Sequence, residues 1–280
     1  MLQMATLIST SNLNGLRAAW RKGMKDWINR TLPDVLCMQE VRAPKDAVDS
    51  IFSGISSLYS SKGKKLYDAY QLCKIPGRAG VALLSVFPFE GLSFGLKGLE
   101  EDVDSGRWIE ARITLKSGVK LTVVCAYVHS GDSADEEKMY QKFRFLDAAT
   151  RRIEKLLLEG GRELLICGDL NIAHTPSDIK NAKSNINSSG FLPQERSYLD
   201  KWLSLGLVDE VRNLSAGTQG PYSWWSYRGR AFDNNAGWRL DYELGTSALS
   251  SKARNFFIER APSYDLRFSD HGPVSVEYEC

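Results

Sequence analysis

Glu163-Leu164-Leu165-Ile166-Cys167-Gly168-Asp169-Leu170-Asn171 is an apolar run that ends abruptly in Asp-x-Asn. Short, and bounded by charge on one side and glycine on the other, it predicts a buried strand over Leu164–Cys167. Side chains two apart on a strand share a face, so Asp169 and Asn171 stand side by side. A carboxylate beside an amide can hold one water: the carboxylate takes its proton and the amide fixes its direction. An Asx-rich turn after a strand would use the same residues, so the rest of the chain has to decide.

Outward from this stretch, similar runs recur at Ala5–Ser9 (within an apolar segment from Met4 to Thr10), Val35–Gln39, Gly80–Ser85, Trp108–Leu115, Lys120–Tyr127, Arg239–Leu244, Asn255–Glu259 and Val274–Tyr278. Lys116-Ser117-Gly118 joins two of them as a tight turn and predicts an antiparallel hairpin, hence a mixed sheet. Fewer segments read as helices. Gly15–Arg30 spaces Leu16, Ala19, Trp20, Met24, Trp27 and Ile28 helically. Glu136–Leu158 has an apolar face of Met139, Phe143, Leu146, Ile153 and Leu157, a capping-box-like start at Ser133 and a stop at Gly160-Gly161. Pro193–Leu205 is the third. Strands that outnumber helices and alternate with them predict an α/β fold with two mixed sheets face to face and helices outside, one domain over residues 1–280.

Composition sets limits. The chain has 280 residues, 43% hydrophobic and 25% charged, an ordinary globular balance. No apolar stretch reaches the roughly 18 residues of a membrane span, and no secretory leader is expected. Cysteines 37, 73, 125, 167 and 280 are odd in number, widely spaced and without a Cys-x-x-Cys pair. They read as reduced thiols of a cytoplasmic protein, not as zinc ligands or a disulfide frame. A net charge of +2 decides nothing about nucleic acid.

Polar residues collect where the predicted strands end: Asn12, Glu40, Tyr127, Asp169 with Asn171, Asp241 within Arg239–Leu244, and Asp270-His271 before the last strand. Strand ends on one sheet edge converge, and sites are built there. Asn12, Glu40 and Asp270 are oxygen donors for a hard cation, and the set lacks the His/Cys richness of zinc sites, so Mg²⁺ or Mn²⁺ suits it. Alone, Glu40 reads equally as a surface charge and His271 as a structural histidine. Asp241 in an apolar strand needs a partner, with His271 and Arg239 as candidates.

The residues recur in one pattern. Asn12-Leu13-Asn14-Gly15-Leu16-Arg17-Ala18, Gln39-Glu40, Gly80–Ser85, Ala126-Tyr127-Val128, Gly168–His174, Gly190–Arg196, Trp224–Arg228, Gly237-Trp238-Arg239-Leu240-Asp241-Tyr242 and Ser269-Asp270-His271 appear in order along the chain. Together they resemble the exonuclease III/AP endonuclease family of the deoxyribonuclease I-like superfamily. The resemblance implies a four-layer α/β sandwich that cleaves DNA phosphodiesters with Mg²⁺, Mn²⁺ substituting. It implies Glu40 as main metal ligand with Asn12 and Asp270, Asp169 as the base, and Asn171 as its orienting amide. His271 held by Asp241 would polarise the phosphate, and Tyr127 would contact the phosphate or leaving group. The chain departs from the family at His129-Ser130, where many members have Pro then Asn or Gln, and at Ser188.

Residues 211–239 carry arginines 212, 228, 230 and 239, one acid (Asp233) and six aromatics, a balance that suits a nucleic-acid surface. By resemblance, Trp224, Trp238 and Leu240 would line a pocket for a flipped deoxyribose lacking its base. Asn185, Arg228 and Arg78 would contact DNA, as would Lys62, Lys64 and Lys65 in loops. The expected partner is double-stranded DNA with abasic or 3′-end lesions, met by a monomer without a membrane. The alternatives are a mainly 3′→5′ exodeoxyribonuclease, a phosphatase or inositol phosphodiesterase on the same scaffold, and a non-catalytic damage-binding module.

Overall fold

A computed structural model describes residues 5–100, 102 and 104–280; Met4, the first residue of the expected apolar segment, lies outside them. The strands are β1 (Ala5–Asn12), β2 (Val35–Gln39), β3 (Tyr67–Gln71), β4 (Val81–Ser85), β5 (Gly91–Phe94), β6 (Trp108–Thr114), β7 (Lys120–Tyr127), β8 (Glu163–Asp169), β9 (Leu207–Asp209), β10 (Asp241–Thr246), β11 (Ala253–Ile258) and β12 (Val274–Glu279). They form two six-stranded sheets, ordered β11-β12-β1-β2-β4-β3 and β5-β6-β7-β8-β10-β9. Both are mixed: β1–β2 and β7–β8 are parallel, and the remaining pairs are antiparallel, including the expected β6–β7 hairpin.

Alternation along the strands builds three cores from one rule. Val35 and Cys37 of β2, Leu121, Val123 and Cys125 of β7, and Leu165 and Cys167 of β8 point between the sheets. The intervening Leu36 and Met38 pack under α1 (Leu16–Ala19), α2 (Lys25–Thr31) and α3 (Lys45–Ser60). Val124, Leu164 and Ile166 pack under α4 (Glu136–Glu159) and α5 (Pro193–Ser204). Helix, sheet, sheet, helix are the four layers expected from sequence.

Details differ from that reading. The expected helix over Gly15–Arg30 is two pieces, α1 and α2, kinked at Gly23, whose φ of 120° is outside helical space. The N-cap of α4 is Asp135, whose carboxylate accepts the Lys138 N–H at 3.1 Å, not Ser133. The α3 helix was not expected: serines and Gly54 dilute its sequence, although Val48, Ile51, Phe52, Ile55 and Tyr59 bury one face. The unexpected strands β3, β5 and β9 are short and lie at sheet edges.

Candidate active site

Period-2 alternation carries the inward face past the ends of the strands. Register places Tyr127, Asp169 and Asp241 in one row across β7, β8 and β10. Asp169 and Asp241 follow the parity of Leu165 and Cys167, and Asn12 follows that of Ile8, so all face the cleft between the sheets. Gly168 makes this row possible: a Cβ there would lie 1.9 Å from the Ala126 carbonyl oxygen.

Across the cleft, the Asn12 Nδ2 donates to Asp169 Oδ2 at 2.8 Å. The backbone N–H of Asn171 donates to Asp169 Oδ1 at 2.9 Å, and its Nδ2 reaches Asp169 Oδ2 at 3.1 Å and the Val128 carbonyl at 2.9 Å. Asp169 is thus buried and held by three donors from two sheets. Its pKa is raised to about 7: burial is the main cause and Asp241 adds to it, while His271, Asn12 and the Asn171 N–H oppose.

The His271 Nδ1 pairs with Asp241 Oδ2 at 2.8 Å, and its Nε2 lies 3.9 Å from Asp169 Oδ2. Asp241 Oδ2 also accepts the Ser223 hydroxyl at 2.6 Å. The partner of Asp241 is therefore His271 and not Arg239. Burial alone would depress the His271 pKa, but Asp241 and Asp169 outweigh it and hold it up to about 10. The imidazole is cationic at neutral pH, with Nε2 turned toward Asp169.

Around the mouth, the Tyr127 hydroxyl donates to Glu40 Oε1, and Arg42 pairs with Glu40 Oε2 at 2.6 Å. Arg42 also donates to Asn14 Oδ1 at 2.8 Å, and Asn14 Nδ2 donates to Asp270 Oδ1 at 2.9 Å. Glu40, Arg42, Asn14 and Asp270 thus form one chain. Burial and the Glu40 charge push the Tyr127 phenol up, so it remains a donor. Asn14, Glu40, Arg42 and Asn171 all have φ between 45° and 51°, left-handed backbone at non-glycine residues gathered at one place.

Among the described residues, two groups offer metal-ligating atoms. Atoms of Asp169, Asp241 and His271 lie within 4.8 Å of one another, close enough to hold an ion. Glu40, Asp270 and the Asn12 amide are an all-oxygen set, the donor chemistry of a hard divalent cation. Neither set is free of other bonds: Nδ1 of His271 and Oδ2 of Asp241 bond each other, Glu40 bonds Tyr127 and Arg42, and Asp270 bonds Asn14 and Trp224, so what recommends the second set is its all-oxygen donor chemistry alone.

Trp224 and Trp238 meet edge to face at 6.1 Å and exchange backbone hydrogen bonds; with Leu240, Ala173, Ile179 and Phe191 they form a small apolar cluster. Trp224 lies 6.4 Å from the His271 ring and donates its Nε1 to Asp270 Oδ2 at 3.0 Å, so this apolar wall adjoins the Asp169–Asp241–His271 cluster. Arg78 pairs with Asp104 at 3.0 Å and lines a cleft of about 320 Å³ with Arg42, Arg107, Tyr127 and His129. Arg228 is exposed on its loop. Asn185 donates to the Asn181 carbonyl at 2.8 Å on a short 3₁₀ turn and, among the described residues, has no hydrogen bond to Asp169, Asp241 or His271. Lys64 pairs with Asp34 at 3.0 Å, and Lys65 lies over the Tyr67 ring at 4.7 Å.

The expected basic surface over residues 211–239 fails for two of its four arginines, while Arg228 and Arg230 are exposed. Arg239 is fully buried, bidentate to Asp209 and bonded to Asp178, and Arg212 joins it on Asp178. These arginines tie loops together and do not face nucleic acid. Residues that sequence reasoning missed are Arg42, Ser223 and Ser269, whose hydroxyl donates to the Asn12 carbonyl at 2.7 Å. Serines leave no periodic signal, but the charge of Arg42 two residues after Glu40 was there to be read.

Comparison with known proteins places the fold and the family. An exodeoxyribonuclease of Bacillus subtilis (strain 168) is 32% identical over 95% of this chain and 96% of its own. An AP endonuclease structure from Archaeoglobus fulgidus superposes with a TM-score of 0.81 at 27% identity, covering 98% of this chain and all of that one. A 3′ phosphatase from Neisseria, solved with a product DNA hairpin, superposes at 0.83 with 25% identity over 98% and 99% of the two chains. The model of one family matches residues 9–271, and on that match, with the cleft between its sheets built as described, the chain belongs to the Endonuclease/Exonuclease/phosphatase family.

Proposed function

We propose that this enzyme is a Mg²⁺-dependent DNA repair nuclease that hydrolyses the phosphodiester 5′ to an abasic site and also clears blocked or recessed 3′ ends. The observation that carries this reading is the pairing of Asp169 and His271 across 3.9 Å, one held by two amides and the other by a carboxylate, beside an apolar indole wall.

Asp169 takes a proton from water as the water oxygen attacks phosphorus, and Asn171 fixes the direction of that water. A carboxyl poised near pH 7 suits a general base, a role worth roughly 10²–10⁴-fold. The His271 imidazolium donates from Nε2 to a phosphoryl oxygen, with Asp241 holding the ring and its charge. The bond from phosphorus to the 3′ oxygen breaks as the new bond to the water oxygen forms, and the departing 3′ oxygen takes a proton from solvent water, with the protonated Tyr127 hydroxyl at the mouth to contact phosphate or leaving group. A divalent cation held by Glu40 with Asn12 and Asp270 would supply Lewis-acid charge to the phosphate.

Selectivity follows from the Trp224, Trp238 and Leu240 wall, which offers apolar surface to a deoxyribose without its base. An abasic nucleotide is cheap to flip because no base pair and little stacking must be broken. Arg78 and Arg42 would lie along the backbone, and Arg228 and Asn185 on the loops flanking it. The same reading has the protein working as a monomer in the cytoplasm, which its odd number of widely spaced cysteines suits.

A duplex carrying a tetrahydrofuran abasic analogue tests the proposal. Incision with Mg²⁺, none with EDTA, and a higher Mg²⁺ requirement in Glu40→Gln are expected. Incision that survives chelation would reject the metal role, and turnover of inositol phosphates but not of DNA would reject the substrate.

A further inference from the structure

Lys142 of α4 has no solvent exposure and no part in the chemistry above. Its ammonium donates to the Asn171 carbonyl at 2.9 Å and to the Ser130 carbonyl at 3.0 Å, and pairs with Glu195 Oε1 at 2.5 Å. All three N–H groups are used. Glu195, equally buried on α5, accepts the Ser189 hydroxyl at 3.1 Å and the backbone N–H groups of Gly190 at 2.7 Å and Leu192 at 2.9 Å. One ion pair thus grips three loops: that after β7, that after β8 bearing Asn171, and that leading into α5.

Stability is a weak reason for such a pair. Desolvating two charges offsets most of their attraction, and an apolar pair of similar volume often serves as well. Other bonds already join these loops: Ser189 to the Ser130 carbonyl, and Ala173 N–H to the Gly190 carbonyl, each at 2.7 Å. What the ammonium adds is direction. Asn171 has a left-handed φ of 49°, and its carbonyl is one of the two that Lys142 holds. The surroundings leave little slack. A Cβ on Gly131 would lie 3.0 Å from Lys142 Cδ, and one on Gly190 would lie 3.2 Å from both the Asn171 carbonyl oxygen and the Trp238 ring.

We propose that Lys142, backed by Glu195, is a positioning residue that fixes the Asn171 peptide, and through it the amide held against Asp169. This rests on the proposed role of Asn171 in orienting water. Lys142 touches no substrate; it acts through Asn171, so losing it should lower kcat more than it raises KM.

The decisive variant is Lys142→Met combined with Glu195→Gln, which removes the link without leaving a lone buried charge. On the abasic duplex with Mg²⁺, kcat is expected to fall about 10²-fold, the cost of a small misplacement, with KM changing less than threefold and Tm close to the wild-type value. A folded double variant with kcat within threefold of wild type would overturn the proposal. Should the double variant not fold, Glu195→Gln alone keeps the ammonium on both carbonyls and is expected to retain kcat far better than Lys142→Met alone; equal losses in the two would also overturn it. A crystal structure of a folded variant lacking Lys142 tests the idea without any reaction. The Asn171 carbonyl is expected to turn from its wild-type direction, and an unmoved one refutes the positioning role even if abasic DNA proved not to be the substrate.

Discussion

The buried carboxylates of this protein divide by what faces them. Asp178 lies against two arginines, which hold its carboxyl down at about 2 despite its burial. Asp169 meets amides and one imidazole, and its burial prevails, raising it to about 7. The first is a structural tie and the second is the group proposed as the base, a difference written in their partners. Asp241 faces no arginine either: its partners are the His271 imidazole and the Ser223 hydroxyl. Replacing it with Asn keeps the shape but removes the charge that offsets the burial of the His271 cation, and kcat on abasic duplex is expected to fall by roughly 10²-fold. Losing only the Ser223 hydroxyl should cost far less, about 1 kcal/mol of barrier, the worth of one hydrogen bond. Steady-state kinetics of Asp241→Asn and Ser223→Ala would show it; equal effects would refute the ordering. At this scale the sequence was legible wherever a residue carried unusual chemistry for its place, such as Asp241 in an apolar strand. It misled where charge alone was counted, because Arg212 and Arg239 find acids distant in sequence.

Among the elements, the parallel pair of β7 and β8 sets the site. Tyr127 and Asp169 are partners in register, and a slip of one residue would turn both out of the cleft. Gly168 keeps that pair close. In Gly168→Ala the new methyl would meet the Ala126 carbonyl, and a loss of about 3 kcal/mol is expected, at the upper end for overpacking. Thermal unfolding measures it, and an unchanged Tm would show that the strands separate freely. Strong patterns such as β7, β8 and α4 could be read from the sequence almost to the residue. The missed α3 and the edge strands β3, β5 and β9 owe their form to neighbours. The half-buried Tyr67–Gln71, for instance, has little alternation of its own and is ordered by its pairing with β4.

At the scale of the whole molecule, four layers put the row of Tyr127, Asp169 and Asp241 at one end of the cleft between the sheets. The cleft also holds acids outside the chemistry. Burial raises Glu210 to about 7 and Glu243 well above the ordinary glutamate value. An acid whose folded pKa is raised binds its proton more tightly in the folded state. Its contribution to stability is complete below the unfolded value, about 4.5, and is lost as pH rises through about 7. For Glu210 the loss is on the order of 3 kcal/mol. Urea midpoints are therefore expected to fall between pH 5 and pH 8.5, and to fall less in Glu210→Gln; identical pH dependence in both would refute this. The layered architecture was foreseen from strand and helix counts, but pairing of the two sheets at the Asn12–Asp169 contact, 157 residues apart, is not encoded in any local pattern.

The most direct measurement compares kcat of the native protein and of Asp169→Asn on a tetrahydrofuran-containing duplex at saturating Mg²⁺. A fall of roughly 10²–10⁴-fold, with substrate still bound, is expected if Asp169 is the base. A variant that cuts within threefold of the native rate would contradict it.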